Sequence, residues 1–193
     1  KEDSERRDFS INAIYLGQKG NIFDPQSGVS DLKNRTVKFI GDPYTRITED
    51  YLRILRFIRF SIEYSNFEID KETIKAIQIN LNGITKLSKE RIYDELKKIL
   101  KLKNFEDILK NKIFTDIFKL IFPEFKQIDR VKNFYSIRNS NMQILDTDNI
   151  LATLLVDGSN NQEYFSHKYN ISNDTKNYLD FCTDNFREIK KNK

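Results

Sequence analysis

Thr48-Glu49-Asp50-Tyr51-Leu52-Arg53-Ile54-Leu55-Arg56-Phe57-Ile58-Arg59-Phe60 changes the hydrophobic period of the chain. From here apolar residues at Tyr51, Ile54, Leu55, Ile58 and Ile62 recur with the spacing of a single helical face. Thr48 is a suitable N-cap, and Glu49 and Asp50 would lie in the first turn, where negative charge complements the helix dipole. The spacing predicts one helix from about Thr48 to about Tyr64. The same stretch carries Asp50, Arg53, Arg56 and Arg59 at every third position. At about 100° per residue the three arginines fall within an arc of about 120°, with Asp50 about 60° beyond Arg53. Solvent-facing helices usually mix Lys with Glu, whereas a nearly pure Arg stripe repels itself unless it meets an anion.

Asp50 and Arg53 support a sharper expectation. Cytosine and adenine both present an exocyclic amino donor beside a ring-nitrogen acceptor on their pairing edges. One carboxylate accepting from the amine and one guanidinium donating to the ring nitrogen would satisfy either base. Uracil and guanine present the reverse pattern and would leave both protein groups unpaired, at roughly 1–3 kcal/mol each. The competing interpretation is an ordinary Asp-Arg ion pair within the helix, worth about 0.3–0.5 kcal/mol.

Upstream, the chain reads as strands and turns. The apolar stretch Phe9 to Leu16, the Gly17-Gln18-Lys19-Gly20 turn and Asn21-Ile22-Phe23 suggest a β-hairpin ending at Asp24-Pro25. After the turn-rich stretch Gln26 to Ser30, Thr36-Val37-Lys38-Phe39-Ile40 alternates like a half-buried strand. Arg6-Arg7-Asp8 delivers two guanidiniums and a carboxylate to the start of the first strand, a cluster able to hold a triphosphate and a ribose hydroxyl or simply to charge a sheet edge. Downstream, helices are expected at Lys71 to Leu81, at Lys89 to Lys101 behind Ser88, and through Phe105 to Phe122 with breaks, Pro123 closing the series. The remainder of the chain, with the apolar segments Asn149 to Val156 and Lys176 to Ile189, also reads as helical, and the Lys190 to Lys193 tail as solvated. The fold class is therefore α+β, mainly α.

Composition narrows the function classes. The 193 residues contain 6 Gly and 3 Pro, against about 14 and 10 at average usage, which argues against β-sandwiches and collagen-like repeats. One Cys and one His exclude a disulfide framework and a Cys/His zinc site, and point by default to a reducing, cytoplasmic address. No apolar run is long enough for a membrane helix, and the first residues are not a signal peptide, so no membrane partner is expected. A net charge of +4 is compatible with RNA or phosphate partners without identifying one. Arg is concentrated before residue 91 and Lys after it, which directs the search for a phosphate-binding site to the first part of the chain. Asp146-Thr147-Asp148 has no strand or glycine turn before it and reads as a helix cap rather than a metal motif. His167 is followed by Lys168 and reads as a surface or packing residue, and Cys182, among apolar neighbours, as buried.

Four segments together resemble the class II tRNA nucleotidyltransferase family, the bacterial-type CCA-adding enzymes and their poly(A) polymerase relatives. Arg6-Arg7-Asp8-Phe9-Ser10-Ile11-Asn12-Ala13 is similar to the family's ribose and phosphate motif, and Asp24-Pro25 to Asp31-Leu32 to its flexible motif. Glu49 to Phe60 resembles the nucleotide-reading helix, and Ser88 to Leu96 the next motif in the neck. The order matches and covers roughly the first half of the chain.

The resemblance implies the end of a nucleotidyltransferase head at 1–45, a neck with the nucleotide-reading helix at 46–101 and a helical, tRNA-binding body at 102–193. It implies nucleotide contacts by Arg7, Asp50, Arg53, Arg56 and Arg59, with Asp8 near the ribose, and a packing role for Glu90 and Arg91. It further implies addition of C and A from CTP and ATP to the tRNA 3′ end with release of pyrophosphate. Narrower alternatives are a poly(A) polymerase or a C-only or A-only enzyme, and an alternative of another class is a non-catalytic helical RNA-binding module. The family's metal-binding Asp-x-Asp precedes its Arg-Arg-Asp motif, so Mg²⁺ would be held upstream, no catalytic or metal-binding residue is assigned within this sequence, and the isolated fragment is expected not to polymerise. Ser10 stands where Thr is usual, and Gln26-Ser27 where the family has Phe-Gly, which leaves Gly28 as a hinge.

Overall fold

The computed structural model describes residues 2–133 and 146–191; Asn192 and Lys193 of the basic tail lie outside them. The chain divides into two compact units, Lys1–Ser88 and Lys89–Lys193.

The first unit is more helical at its start than the alternating pattern suggests. A short helix α1 (Glu2–Glu5) is followed by a 3₁₀ turn over Ser10–Ala13, and only Tyr15–Leu16 (β1) and Ile22–Phe23 (β2) pair as antiparallel strands. The hairpin is thus present but two residues deep, with Gly20 at φ +80° closing its turn. Phe9 is better used by the core: it makes a single bridge to Phe39 and is fully buried. Thr36–Ile40 accordingly forms no strand beyond that bridge. Helix α2 (Gly28–Lys33) fills the stretch expected to be a turn. Both oxygens of Asp24 accept from its first N–H groups, Gly28 at 2.7 Å and Val29 at 2.9 Å, which satisfies donors a helix N-terminus otherwise leaves orphaned. A Cβ at Gly28 would sit 2.2 Å from the Ser10 carbonyl oxygen. Gly28 is therefore a close-packing position.

The expected helix from Thr48 is two helices. Asp42 caps α3 (Pro43–Glu49), accepting from the Thr45 N–H, and Pro43 supplies the preset φ of a first turn. Thr48 lies inside α3, its hydroxyl donating to the Thr45 carbonyl, so it is no N-cap. The chain then extends at Asp50 (φ −154°, ψ 105°) and restarts as α4 (Arg53–Tyr64). The break has a packing cause. Tyr51 seats its ring over Gly83, where a Cβ would fall 2.1 Å from the ring. Gly83→Ala is therefore expected to lower the denaturation midpoint in urea, at a cost of about 1–3 kcal/mol for forcing an ordered ring aside. Asp70 caps α5 (Lys71–Asn80), and a 3₁₀ turn over Leu81–Lys86 carries Gly83. The core of the unit is aromatic: Phe39 stacks on Phe57 at 5.4 Å, and Phe9 meets Phe39 at 4.8 Å and the edge of Phe60 at 5.4 Å.

The second unit is helical throughout its described residues: α6 (Lys89–Leu100), α7 (Lys112–Ile121), α8 (Thr147–Leu155), α9 (Asn161–Tyr169) and α10 (Asn173–Lys191). A 3₁₀ turn over Phe105–Lys110 ends before Asn111, which caps α7, and a further 3₁₀ turn covers Ile128–Asn133. Asp146 caps α8 as the sequence suggests. His167 is exposed, and Cys182 is half-buried rather than buried. Phe118, Phe122, Phe125, Phe165 and Tyr169 form a continuous ring cluster, with successive centroids 4.7–5.8 Å apart.

Candidate functional site

Every residue singled out for nucleotide contact lies in the first unit, and the aromatic core explains their placement. Phe9 is anchored beneath Phe39 and Phe60, which fixes Asp8 next to it. On α4, Phe57 and Phe60 face inward, while Arg53, Arg56 and Arg59 stay only partly covered.

Asp8 joins the two segments. Its Oδ1 accepts from the Phe9 N–H (3.0 Å) and from Asn12 Nδ2 (2.9 Å), and its Oδ2 from Arg56 Nε at 2.5 Å. Burial pushes the Asp8 carboxyl up, but the Arg56 and Asn12 hydrogen bonds, the Arg56 charge and the Phe9 N–H outweigh it and hold it below the ordinary carboxylate range. Asp8 is ionised at neutral pH and orients Arg56.

A second junction runs through Arg46 and Glu49, neither of which the sequence marks as a binding residue. One carboxylate oxygen, Glu49 Oε2, accepts from Arg46 Nη1 at 2.7 Å and from Arg53 Nη1 at 2.6 Å. Arg46 Nη2 donates to the carbonyl oxygen of Arg7, and Arg53 Nη1 donates to the carbonyl oxygen of Arg46 at 2.7 Å. The hydrogen bond from Arg53, joined by the charges of Arg46 and Arg53, lowers the Glu49 carboxyl below its usual value. Arg7 itself pairs with Asp3 at 2.9 Å. Asp3 also accepts from Arg6 and from the Tyr15 hydroxyl, and these donors hold its carboxyl far below the usual range.

The structure thus ties the Arg7-Asp8 segment to this region twice: Arg56 bonds the Asp8 carboxylate, and Arg46, linked to Arg53 through Glu49, bonds the Arg7 backbone carbonyl, while the Arg7 guanidinium pairs with Asp3. Arg59 lies a turn further on, its guanidinium 4.1 Å from the Phe60 ring centre and 3.9 Å from Glu63. Asp50 is placed differently from the helical expectation. It sits on extended backbone in the break, where its Oδ1 accepts from the Leu52 N–H at 3.1 Å. The intrahelical Asp50-Arg53 ion pair is replaced by Glu49-Arg53. Such planar, forked donors suit a phosphate-bearing ligand with a hydrogen-bonding base edge. Among the described residues no group of three or more His, Cys, Asp or Glu side chains is placed to hold a metal ion. The signal that could have found Arg46 is its spacing of seven from Arg53 on what was read as helix and loop, which masks their contact.

Comparison with known proteins agrees with the four-segment resemblance. Residues 1–38 match the family model described as "Poly A polymerase head domain", and residues 66–128 the one described as "Probable RNA and SrmB- binding site of polymerase A". The chain is 49% identical over 102 residues to the human "CCA tRNA nucleotidyltransferase 1, mitochondrial", covering 52% of this chain and 24% of that protein. It is 40% identical over 129 residues to the "CCA-adding enzyme" of Staphylococcus haemolyticus, covering 67% and 32% respectively. The chain therefore spans a quarter to a third of the length of these relatives. Among solved structures, the Bacillus stearothermophilus CCA-adding enzyme in complex with CTP aligns with TM-score 0.51 and 32% identity over 56% of this chain and 27% of that one. The Thermotoga maritima CCA-adding enzyme complexed with tRNA shares the fold, with TM-score 0.69 and 23% identity over 93% of this chain and 47% of that one. Ordered motifs, two matching family models and a common fold converge on one conclusion: the chain belongs to the class II CCA-adding enzyme and poly(A) polymerase family.

Proposed function

We propose that the parent polypeptide of this chain is a CCA-adding tRNA nucleotidyltransferase, in which Arg7, Asp8, Arg53, Arg56 and Arg59 bind the incoming nucleotide and Asp50 with Arg53 selects its base. The observation that carries this reading is the hydrogen-bonded group joining the Arg7-Asp8 segment to Arg53 and Arg56, with Asp50 at its edge. Residues 1–45 act as the end of the head, 46–101 as the neck and 102–193 as the tRNA-binding body. The tRNA 3′ hydroxyl oxygen bonds to the α-phosphorus of CTP or ATP while the bond to pyrophosphate breaks. Guanidiniums of this chain neutralise the triphosphate, and Mg²⁺ held elsewhere in the parent supplies the remaining positive charge. Asp50 accepts from the exocyclic amine, and Arg53 donates to the ring nitrogen. The lone Cys182 supports a reducing, cytoplasmic address. No helix among the described residues is long and apolar enough to cross a membrane.

The test is competition among CTP, ATP, UTP and GTP on the full-length parent. Asp50→Ala and Arg53→Ala are each expected to reduce preference for C and A by about 5- to 150-fold, the equivalent of about 1–3 kcal/mol per unpaired group. Unchanged preference in both variants overturns the base-selection reading. A second reading within the same family is a poly(A) polymerase. Product length and composition on tRNA lacking CCA separate the two.

A further inference from the structure

Arg53 reads nothing reliably unless its guanidinium plane is fixed, and the structure contains the device that fixes it. Nη1 has two protons, and both are engaged: one acceptor is Glu49 Oε2 at 2.6 Å, the other the Arg46 carbonyl oxygen at 2.7 Å. Two acceptors on one nitrogen of a planar fork determine where the rest of the fork points. Nε and Nη2 remain as the outward edge, with no hydrogen bond to the described residues. The Arg53 side chain is only 14% exposed, so it has little room to choose another rotamer.

Glu49 is in turn held by Arg46, whose side chain is 12% exposed and whose Nη2 reaches the Arg7 carbonyl oxygen. Arg46 thereby ties the segment proposed to hold phosphate and ribose to the segment proposed to read the base. Arg46 Nε is buried without a partner, so its guanidinium is held through Nη1 and Nη2 alone.

We propose that Glu49 and Arg46 are positioning residues for base selection: neither touches the base, but together they set the plane in which Arg53 offers its donors. This rests on the reading of Arg53 as a base-selecting residue. With Glu49 removed, Arg53 can turn and donate to a carbonyl oxygen on uracil or guanine as easily as to a ring nitrogen. Discrimination then falls, although every nucleotide-touching residue is still present. Glu49→Gln keeps an acceptor oxygen for Nη1 and loses only the charge, so it should retain part of the discrimination. Arg46→Lys cannot span Glu49 and the Arg7 carbonyl with one ammonium.

The experiment uses the full-length parent with tRNA lacking its terminal nucleotides. It measures kcat/KM for CTP, ATP, UTP and GTP in wild type, Glu49→Ala, Glu49→Gln, Arg46→Lys, Asp50→Ala and Arg53→Ala, alongside thermal midpoints. Glu49→Ala is expected to raise U incorporation relative to C by about tenfold or more, equivalent to about 1.4 kcal/mol. Glu49→Gln should give a smaller rise, and Arg46→Lys should move in the same direction. If Glu49→Ala slows all four nucleotides equally while Asp50→Ala and Arg53→Ala lose discrimination, the base-selection reading stands and the positioning proposal is overturned. If Asp50→Ala and Arg53→Ala keep wild-type preference, the base-selection reading itself has failed, and the proposal with it. Should Glu49→Ala not fold, Glu49→Gln and Arg46→Lys decide on the same ratio.

Discussion

Lys168→Met is expected to destabilise the second unit by about 3–5 kcal/mol, the usual consequence of removing one partner of a buried ion pair. Lys168 Nζ lies 2.6 Å from Glu124 Oε1, and the Glu124 side chain is 2% exposed. Its second oxygen is buried without a partner, so among the described residues Lys168 is the cation that offsets the desolvated carboxylate. Removing Lys168 leaves that charge buried without its cation. The double variant Glu124→Leu/Lys168→Met should recover most of the loss, because replacing both partners removes the desolvation term as well. Urea unfolding of the single and double variants measures both numbers. Equal loss in single and double variants would mean that packing, not charge, sets the effect. The pair also has a pH signature. Burial pulls the Lys168 ammonium down, but its hydrogen bond and attraction to Glu124, with a contribution from Tyr169, outweigh this and raise it above 10.5. A raised folded value gives stability that is fully present below the unfolded lysine value and is lost as pH climbs through the folded one. The contribution of Lys168 should therefore be lost in the strongly alkaline range.

The second large effect belongs to the first unit. Phe57 is 1% exposed and stacks on Phe39 at an interplanar angle of 13°. Phe57→Ala should cost about 3–5 kcal/mol through lost burial and an incompletely closed cavity. Because Phe57 neighbours Arg56, the same change loosens the 2.5 Å contact between Arg56 and Asp8. The expected outcome is a lower denaturation midpoint together with weaker nucleotide binding in the parent. Phe57→Leu, which keeps most of the volume, should recover much of both. Full recovery of stability without recovery of binding would indicate that the ring itself is needed to place Arg56.

How much of this was legible in the sequence depends on whether local rules and tertiary packing agreed. Lys71–Asn80, Lys89–Leu100 and the Asp146-capped helix fall where periodicity and caps put them, because their apolar stripes and first-turn chemistry point the same way. Thr48 satisfied the cap rule but was outcompeted by Asp42-Pro43 six residues earlier, a stronger start with a carboxylate cap and a preset φ. The break at Asp50 was not readable, since Tyr51 fits the apolar period and its true constraint is Gly83, far along the chain. Thr36–Ile40 shows the opposite failure. Its alternation is real, with Val37 and Phe39 buried, but no partner strand lies beside it among the described residues beyond the Phe9 bridge. Helix α9 lies in the stretch expected to be helical, but its bounds were not readable because Tyr164, Phe165 and Tyr169 do not make a clean stripe; Tyr164 is exposed and the others are buried. At the site, the arginines were visible as a pattern, whereas Arg46 and Glu49 were not. Their importance lies in hydrogen bonds to a backbone carbonyl and to a shared oxygen, which no residue spacing announces.

Tyr51 over Gly83 has a consequence for how sequence change can accumulate here. The two positions share one volume, so their substitutions cannot be independent: a methyl at 83 is tolerable only if the ring at 51 has already been reduced, and a smaller residue at 51 alone leaves a hole above 83. The order of events therefore matters, with loss of the ring as the permissive first step. Since Tyr51 separates Asp50 from Arg53, the glycine constrains the evolution of a pair of residues about thirty positions away, without contacting either of them through its own side chain.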